Sequence, residues 1–350
     1  MTKPQEEAHE ITLDNPTEPS LPPTLSKKFK KLEKAHEIKL EHDDLVALEK
    51  MADLLLENAD VFGDELNMGT LIGETAYLPT AGEPINIPPR RYNPIKAKQI
   101  DAEIQKMKAM GVIGPCEDNR GWNSPIHPVP KPDGRIRVTV DFSHSLNKRL
   151  TRLNPYPQPS IDAVLNQIPP TAKHFSNVDL LHGYWQIVLH PDDRHKTAFY
   201  WNEECLQFNR LPMGLTMAGN IFSRLVAKIL GGANLDKSIL KYLDDICIVS
   251  DDFDAHLASL KNLFSTLRKA GLKIKGKKCQ FLATGDRKVK FLGRSVGEHG
   301  ICPDPDYVRG FDKLAAPTTK KRARKLSGQP SLGQNVSVYA PRRGGEKDKL

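Results

Sequence analysis

Ile239-Leu240-Lys241-Tyr242-Leu243-Asp244-Asp245-Ile246-Cys247-Ile248-Val249-Ser250 consists of two β-forming runs on either side of a Leu-Asp-Asp core. Branched and aromatic side chains favour extended backbone, so the stretch predicts a hairpin with both carboxylates at its tip. Adjacent acids at a tight turn repel each other, and a fold gains little from them unless a cation sits there. Mg²⁺ meets that need, because it takes a few carboxylates and leaves its other positions to water and phosphate oxygens. An Asp pair alone is not distinctive: Asp43-Asp44, Asp192-Asp193 and Asp251-Asp252 have the form of ordinary helix caps or turns. The hairpin context separates Asp244-Asp245 from them.

A metal held by this pair needs a third carboxylate on a neighbouring strand. Asp179, in His174-Phe175-Ser176-Asn177-Val178-Asp179-Leu180-Leu181-His182-Gly183-Tyr184-Trp185-Gln186-Ile187, ends a β-type run, and antiparallel pairing would set it opposite the hairpin tip. Histidines 182, 190 and 195 show no zinc spacing with cysteines and read as surface residues.

The chain of 350 residues is long enough for one large domain or two smaller ones, and its 39% hydrophobic content is near globular usage. A net charge of +8 favours a polyanionic partner. No apolar run reaches membrane-spanning length, and the polar start is no signal peptide, so an intracellular protein without a membrane partner is expected. The five cysteines are widely spaced, with no Cys-x-x-Cys pair, and read as reduced structural thiols.

Residues 1–42 are expected to be a disordered polar lead, partly helical after Ser26. A helix follows from Asp43 or Asp44 through Leu56, and the Gly- and Pro-rich stretch 63–92 reads as a linker, giving a 43–91 unit of helix plus linker. Asn93-Pro94 starts a helix with Ile100, Ile104 and Met107 on one face. Short strands follow from Val112, with a hairpin around Pro132-Asp133-Gly134, strand-like runs at 174–179, 184–189 and 197–201, and helices at 160–168, 216–230 and 254–270. Strands return near 272–275, 279–282 and 288–294. Strands and helices without regular alternation indicate an α+β fold. From 311 to 350 a basic, disordered tail is expected.

The two aspartate stretches together resemble the reverse transcriptases of gypsy-type LTR retrotransposons, fragments of retroviral-like pol polyproteins. Asp179 to Ile187 resembles their first catalytic motif and Tyr242-Leu243-Asp244-Asp245 their third. Leu211-Pro212-Met213-Gly214-Leu215-Thr216 resembles the loop under the incoming nucleotide. Trp122-Asn123-Ser124-Pro125, Lys131-Pro132-Asp133-Gly134, Arg137 to Phe142 and Leu146-Asn147-Lys148 match the fingers in order. Gly271-Leu272-Lys273-Ile274, Lys277-Lys278-Cys279, Phe291-Leu292-Gly293 and Gly300 to Pro305 complete a series that covers about 92–310.

The resemblance implies a right-hand polymerase fold with fingers and palm, its core about 112–297 and its thumb largely missing. It implies RNA-directed DNA polymerisation: two Mg²⁺ ions (Mn²⁺ as a substitute), dNTPs, and an RNA or DNA template with primer. Asp179, Asp244 and Asp245 are the implied catalytic and metal residues, with the carbonyl of Val178 or Leu180 as a further ligand. Lys131, Arg137, Tyr184, Met213, Gly214 and Lys277 are implied around the nucleotide, Tyr184 against a ribose 2′-hydroxyl and Lys277 as a candidate general acid toward pyrophosphate, with Lys273, Lys275 and Lys278 as rivals for that role. Phe291, Leu292 and Gly293 are the implied primer grip. The sequence departs from the family at Met213, at Ser143, where Arg is common, and at Met217-Ala218-Gly219, where Asn-Ala-Pro is usual. It departs again after Lys320-Lys321, which suggests a frameshifted or mis-spliced end. A second reading is a catalytically impaired relic that acts only as a nucleic-acid-binding protein. A palm-type RNA-dependent RNA polymerase is disfavoured by Tyr184 and by Leu243, where Gly would be typical.

Overall fold

Capping residues fix where the helices begin. In the computed structural model, which describes residues 22–40, 42–131, 133–151, 156–232 and 238–305, the Asp44 carboxylate accepts from the Val46 amide at 2.8 Å and opens α2 (Leu45–Glu57). It is preceded by α1 (Pro23–His36). Then come β1 (Thr75–Ala76), α3 (Pro94–Ala109, capped by Asn93), β2 (Ile113–Pro115), β3 (Ile126–Pro130), β4 (Ile136–Val140) and α4 (Ile161–Leu165). β5 (His174–Asp179), β6 (Val188–Leu189), α5 (Pro191–Arg194), β7 (Phe199–Trp201), β8 (Glu204–Phe208) and α6 (Ala218–Gly232) follow. β9 (Ile239–Tyr242), β10 (Asp245–Ser250), α7 (Phe253–Ala270), β11 (Gln280–Ala283), β12 (Val289–Phe291), β13 (Arg294–Gly297) and β14 (Gly300–Pro303) complete the described order. Of the other Asp pairs, Asp252 caps α7, and Asp193 is buried against Lys196 at 2.5 Å.

The central sheet runs β11-β5-β10-β9, and β10 pairs antiparallel with both β5 and β9. Both of its faces are covered. Ile246 and Ile248 of β10 enter the larger core cluster with Leu260, Leu263 and Phe264 of α7. Cys247 and Val249, pointing the other way, enter a smaller cluster with Phe175, Phe291 and Val296, so the strand reads as a continuous apolar run. One polar bridge crosses the α7 face. Fully buried His256 meets Ser176 Oγ of β5 at 2.7 Å through Nε2 and Ser250 Oγ of β10 at 3.1 Å through Nδ1. Burial pushes its pKa down to about 3, so the imidazole is neutral.

Five expectations are corrected. The N-terminal lead is helical from Pro23: Leu25 and Leu32 are buried, and Lys28 pairs with Glu49 at 2.9 Å and Asp53 at 2.7 Å on α2. Residues 1–21 and the 311–350 tail lie outside the described residues. The 63–92 stretch is no free linker, because Met68, Leu71, Ala76 and Leu78 are buried and β1 pairs parallel with β6. The 184–189 run is not a strand throughout. His182 and Gly183 turn the chain through positive φ (54° and 33°), a one-turn 3₁₀ helix covers Gly183–Gln186, and only Val188–Leu189 is extended. Similarly, 272–275 is tied by isolated bridges of Leu272 and Ile274, and 288–294 divides into β12 and β13 around a Leu292-Gly293 turn.

Candidate active site

The β9–β10 hairpin turns on Leu243 and Asp244, with Tyr242 and Asp245 paired at its base. Leu243 has φ +54°, a left-handed conformation that costs a side chain with a Cβ on the order of 1–2 kcal/mol. The strain is held by the sheet and by the Leu180 amide, which donates to the Asp244 carbonyl at 3.2 Å. Asp245 lies directly opposite Asp179 in the β5–β10 register, so two carboxylates project side by side from one face of the sheet. Exposed Asp244 stands at the tip beside Gly183, where a Cβ would come within 3.6 Å of its carboxylate.

Charge is unbalanced here. Burial and then the neighbouring Asp244 and Asp179 push the Asp245 pKa up to about 6. Burial also raises that of Asp179, against the pull of Lys278, whose ammonium meets both Asp179 oxygens at 3.2 and 2.9 Å. Among the described residues no group of three His, Cys, Asp or Glu side chains forms a ready cage for a metal ion. The donor set still suits a hard divalent cation: all three ligating groups are carboxylates, and mutual repulsion at Asp245 is what such an ion would relieve.

The nucleotide candidates divide. Arg137 on β4 is exposed and its Nη1 lies 3.9 Å from Met213 Sδ, which brings two of them together. Gly214 takes φ +92°, which favours glycine, and Asn147 staples this loop: its amide donates to the Gly214 carbonyl at 2.9 Å and its oxygen accepts from the Thr216 amide at 3.0 Å. Tyr184 packs edge-on to Phe222 at 5.3 Å, and burial and Asp244 raise its pKa. Its hydroxyl lies 3.6 Å from where a Gly219 Cβ would be, so one departure from the family opens space beside this ring. Lys131 is farther out, near Glu103 at 3.9 Å.

Two assignments need correction. Lys277 pairs with Glu37 at 2.6 Å, away from the carboxylates, because the short turn 276–278 points its neighbour Lys278 at Asp179. Phe291 is buried in the smaller cluster and offers no side chain to a primer, which leaves the Leu292-Gly293 turn, at φ 54° and 70°, as the accessible part of that hairpin. Lys278, one of four rival lysines, and Asn147, quoted only within its motif, carry site geometry. Four lysines within six residues, Lys273 to Lys278, hide the first, and only tertiary contact distinguishes it.

Residues 129–296 match the family described as reverse transcriptase (RNA-dependent DNA polymerase). The chain is 36% identical over 238 residues to the Retrovirus-related Pol polyprotein from transposon opus of Drosophila melanogaster, covering 67% of this chain and 23% of that protein. It is 30% identical over 238 residues to the Pol polyprotein from transposon gypsy of the same species, covering 66% and 22%. The foamy viral protease-reverse transcriptase in complex with RNA/DNA hybrid shares the fold, with TM-score 0.73 at 24% identity over 90% of this chain and 41% of that one. The fold is thus that of polymerase fingers and palm. The chain belongs to the reverse transcriptases of gypsy-type LTR transposon Pol polyproteins, and it spans less than a quarter of the length of those two relatives.

Proposed function

We propose that this chain is an RNA-directed DNA polymerase that adds dNTPs to a primer 3′-hydroxyl on an RNA or DNA template, working inside the cell, where its thiols stay reduced. One observation carries the reading: Asp179 and Asp245 stand in register on paired strands, with Asp244 at the adjoining turn. Asp179, Asp244 and Asp245 would hold Mg²⁺. Bound there, the ions would supply Lewis acidity toward the primer hydroxyl and the leaving pyrophosphate.

The chain's own groups do the rest. The Arg137 guanidinium, beside Met213, would give triphosphate oxygens a bidentate grip, with Lys131 adding charge. Asn147, which bonds the 213–216 loop, would keep it as a floor for the nucleotide, and the Tyr184 ring, packed on Phe222, would press on the sugar. Lys278, paired with Asp179 at 2.9 Å, would hold or pass a proton there. Template would be taken by shape and phosphate contact, as copying any sequence requires.

Primer extension on an RNA template with Mg²⁺ and dNTPs tests this against Asp244→Asn. Wild type should extend and the variant should lose at least about 100-fold in rate while binding primer-template equally. A wild-type chain that binds primer-template and never extends it overturns the reading.

A further inference from the structure

The end of α1 lies under the turn that carries Lys278. Gly276 is buried and outside the left-handed region, so its missing side chain answers to space and not to conformation. A Cβ there would sit 2.4 Å from the His36 carbonyl oxygen and 2.9 Å from Ile38 Cγ1. The nearest atom is backbone, which no rotamer change can move aside. That backbone is itself anchored: Ile38 is 2% exposed, and the His36 ring lies 4.9 Å from that of Phe62. On its other side the turn is tied to the site. The Lys275 amide donates to the Asp179 carbonyl at 2.9 Å, the Lys278 amide to Lys275 and the Cys279 amide to Gly276 at the same distance. The Lys278 ammonium then reaches the Asp179 carboxylate. An ion pair at the rim, Glu37 with Lys277, joins the two segments again.

We propose that His36–Ile38 is a positioning element for the active site: pressed against Gly276, it sets the 275–279 turn so that Lys278 meets Asp179. The N-terminal helix is then part of the catalytic unit and not a leader to it. The inference rests on the polymerase reading for its consequence in rate, but the contact itself can be tested without turnover.

Gly276→Ala in the full chain is the test. Two readouts are taken: steady-state primer extension, and reductive methylation of Lys278 in metal-free, nucleic-acid-free protein, quantified by peptide mass against Lys96, with Asp179→Asn as the unpaired limit. The variant should lose at least tenfold in kcat while KM for dNTP and Kd for primer-template stay within twofold, and Lys278 should methylate at least threefold faster. If Gly276→Ala does not fold, Ile38→Ala carries the same test, with Ile38→Val expected to restore wild-type values. A folded variant with unchanged Lys278 reactivity overturns the proposal, as does a loss of kcat that only tracks the fraction of folded protein. If the wild type extends no primer, the polymerase reading fails and the methylation result alone decides this one.

Discussion

Asp245 sets the pH behaviour of the site. Its carboxyl titrates near 6 in the folded chain, against about 4 for an ordinary carboxylate. Below pH 4 both folded and unfolded chains hold the proton, and the group is neutral in the balance. As pH rises from 4 to 6 the unfolded chain ionises freely while the folded one resists, and above 6 a constant penalty remains. Discounted for partial exposure, that penalty is on the order of 1–2 kcal/mol. Asp245→Asn should therefore unfold about 2–6 °C above wild type at pH 8 in metal-free buffer and show no such gain at pH 4. Mg²⁺ at pH 8 should raise the wild-type Tm by more than the variant's, which keeps only Asp179 and Asp244 as ligands. Wild type more stable than the variant at pH 8 would sink this account. At this scale the sequence was informative about residue type: Asp179 pairs with Asp245 beside the Asp244 turn, and Arg137 lies beside Met213. Which lysine reaches them was not legible, since Lys277 and Lys278 are chemically equal and only the 3₁₀ turn between Lys275 and Cys279 assigns their directions.

Among the elements, those with local signals were readable. Asn93-Pro94 opens α3, and Gly271, at φ 72°, closes α7. The hairpin at Asp244 follows from β-forming flanks, although Leu243 in a left-handed turn has no signal beyond the hairpin's shortness. α1 was legible only in part, as a partial helix after Ser26, for a physical reason: Lys27, Lys28, Lys30, Lys31 and Lys34 swamp an apolar stripe of few residues, and what makes the helix stable is the surface of α2 that it meets. The 63–92 stretch misleads in the same way. Its glycines and prolines describe a path without regular structure, and its burial comes from distant partners: the Leu71 amide donates to the Gln186 carbonyl at 2.7 Å, β1 pairs with β6, and Asp193 accepts from the Leu78 amide at 2.8 Å. If α1 belongs to the folded unit, Leu32→Ala should cost about 2–4 kcal/mol in urea unfolding, as other buried leucines do. Leu66→Ala, at 85% exposure, should stay within about 0.5 kcal/mol. Equal, negligible effects would return α1 to the status of a loose lead.

The whole molecule carries 51 Lys and Arg against 43 Asp and Glu. Primer-template binding should then weaken at least about tenfold between 50 and 200 mM salt, with the slope of log Kd against log salt counting the phosphates neutralised. A salt-independent Kd would mean that phosphate contact is not what holds the substrate. The central sheet has a consequence of another kind. Along β5 and β10 the residues at Asp179 and Asp245, and every second one before and after, face the smaller cluster, while those between face α7. A slip of one residue in a single strand would carry its carboxylate into the apolar contact with α7 and disperse the pair. His256 touches both strands from the α7 side, at Ser176 and Ser250, and a shift in either would cost it a partner in a place water does not reach. The neutral imidazole, bonded to Ser176 on the strand that ends at Asp179, thus works as an alignment key: it makes misassembly of the active site expensive.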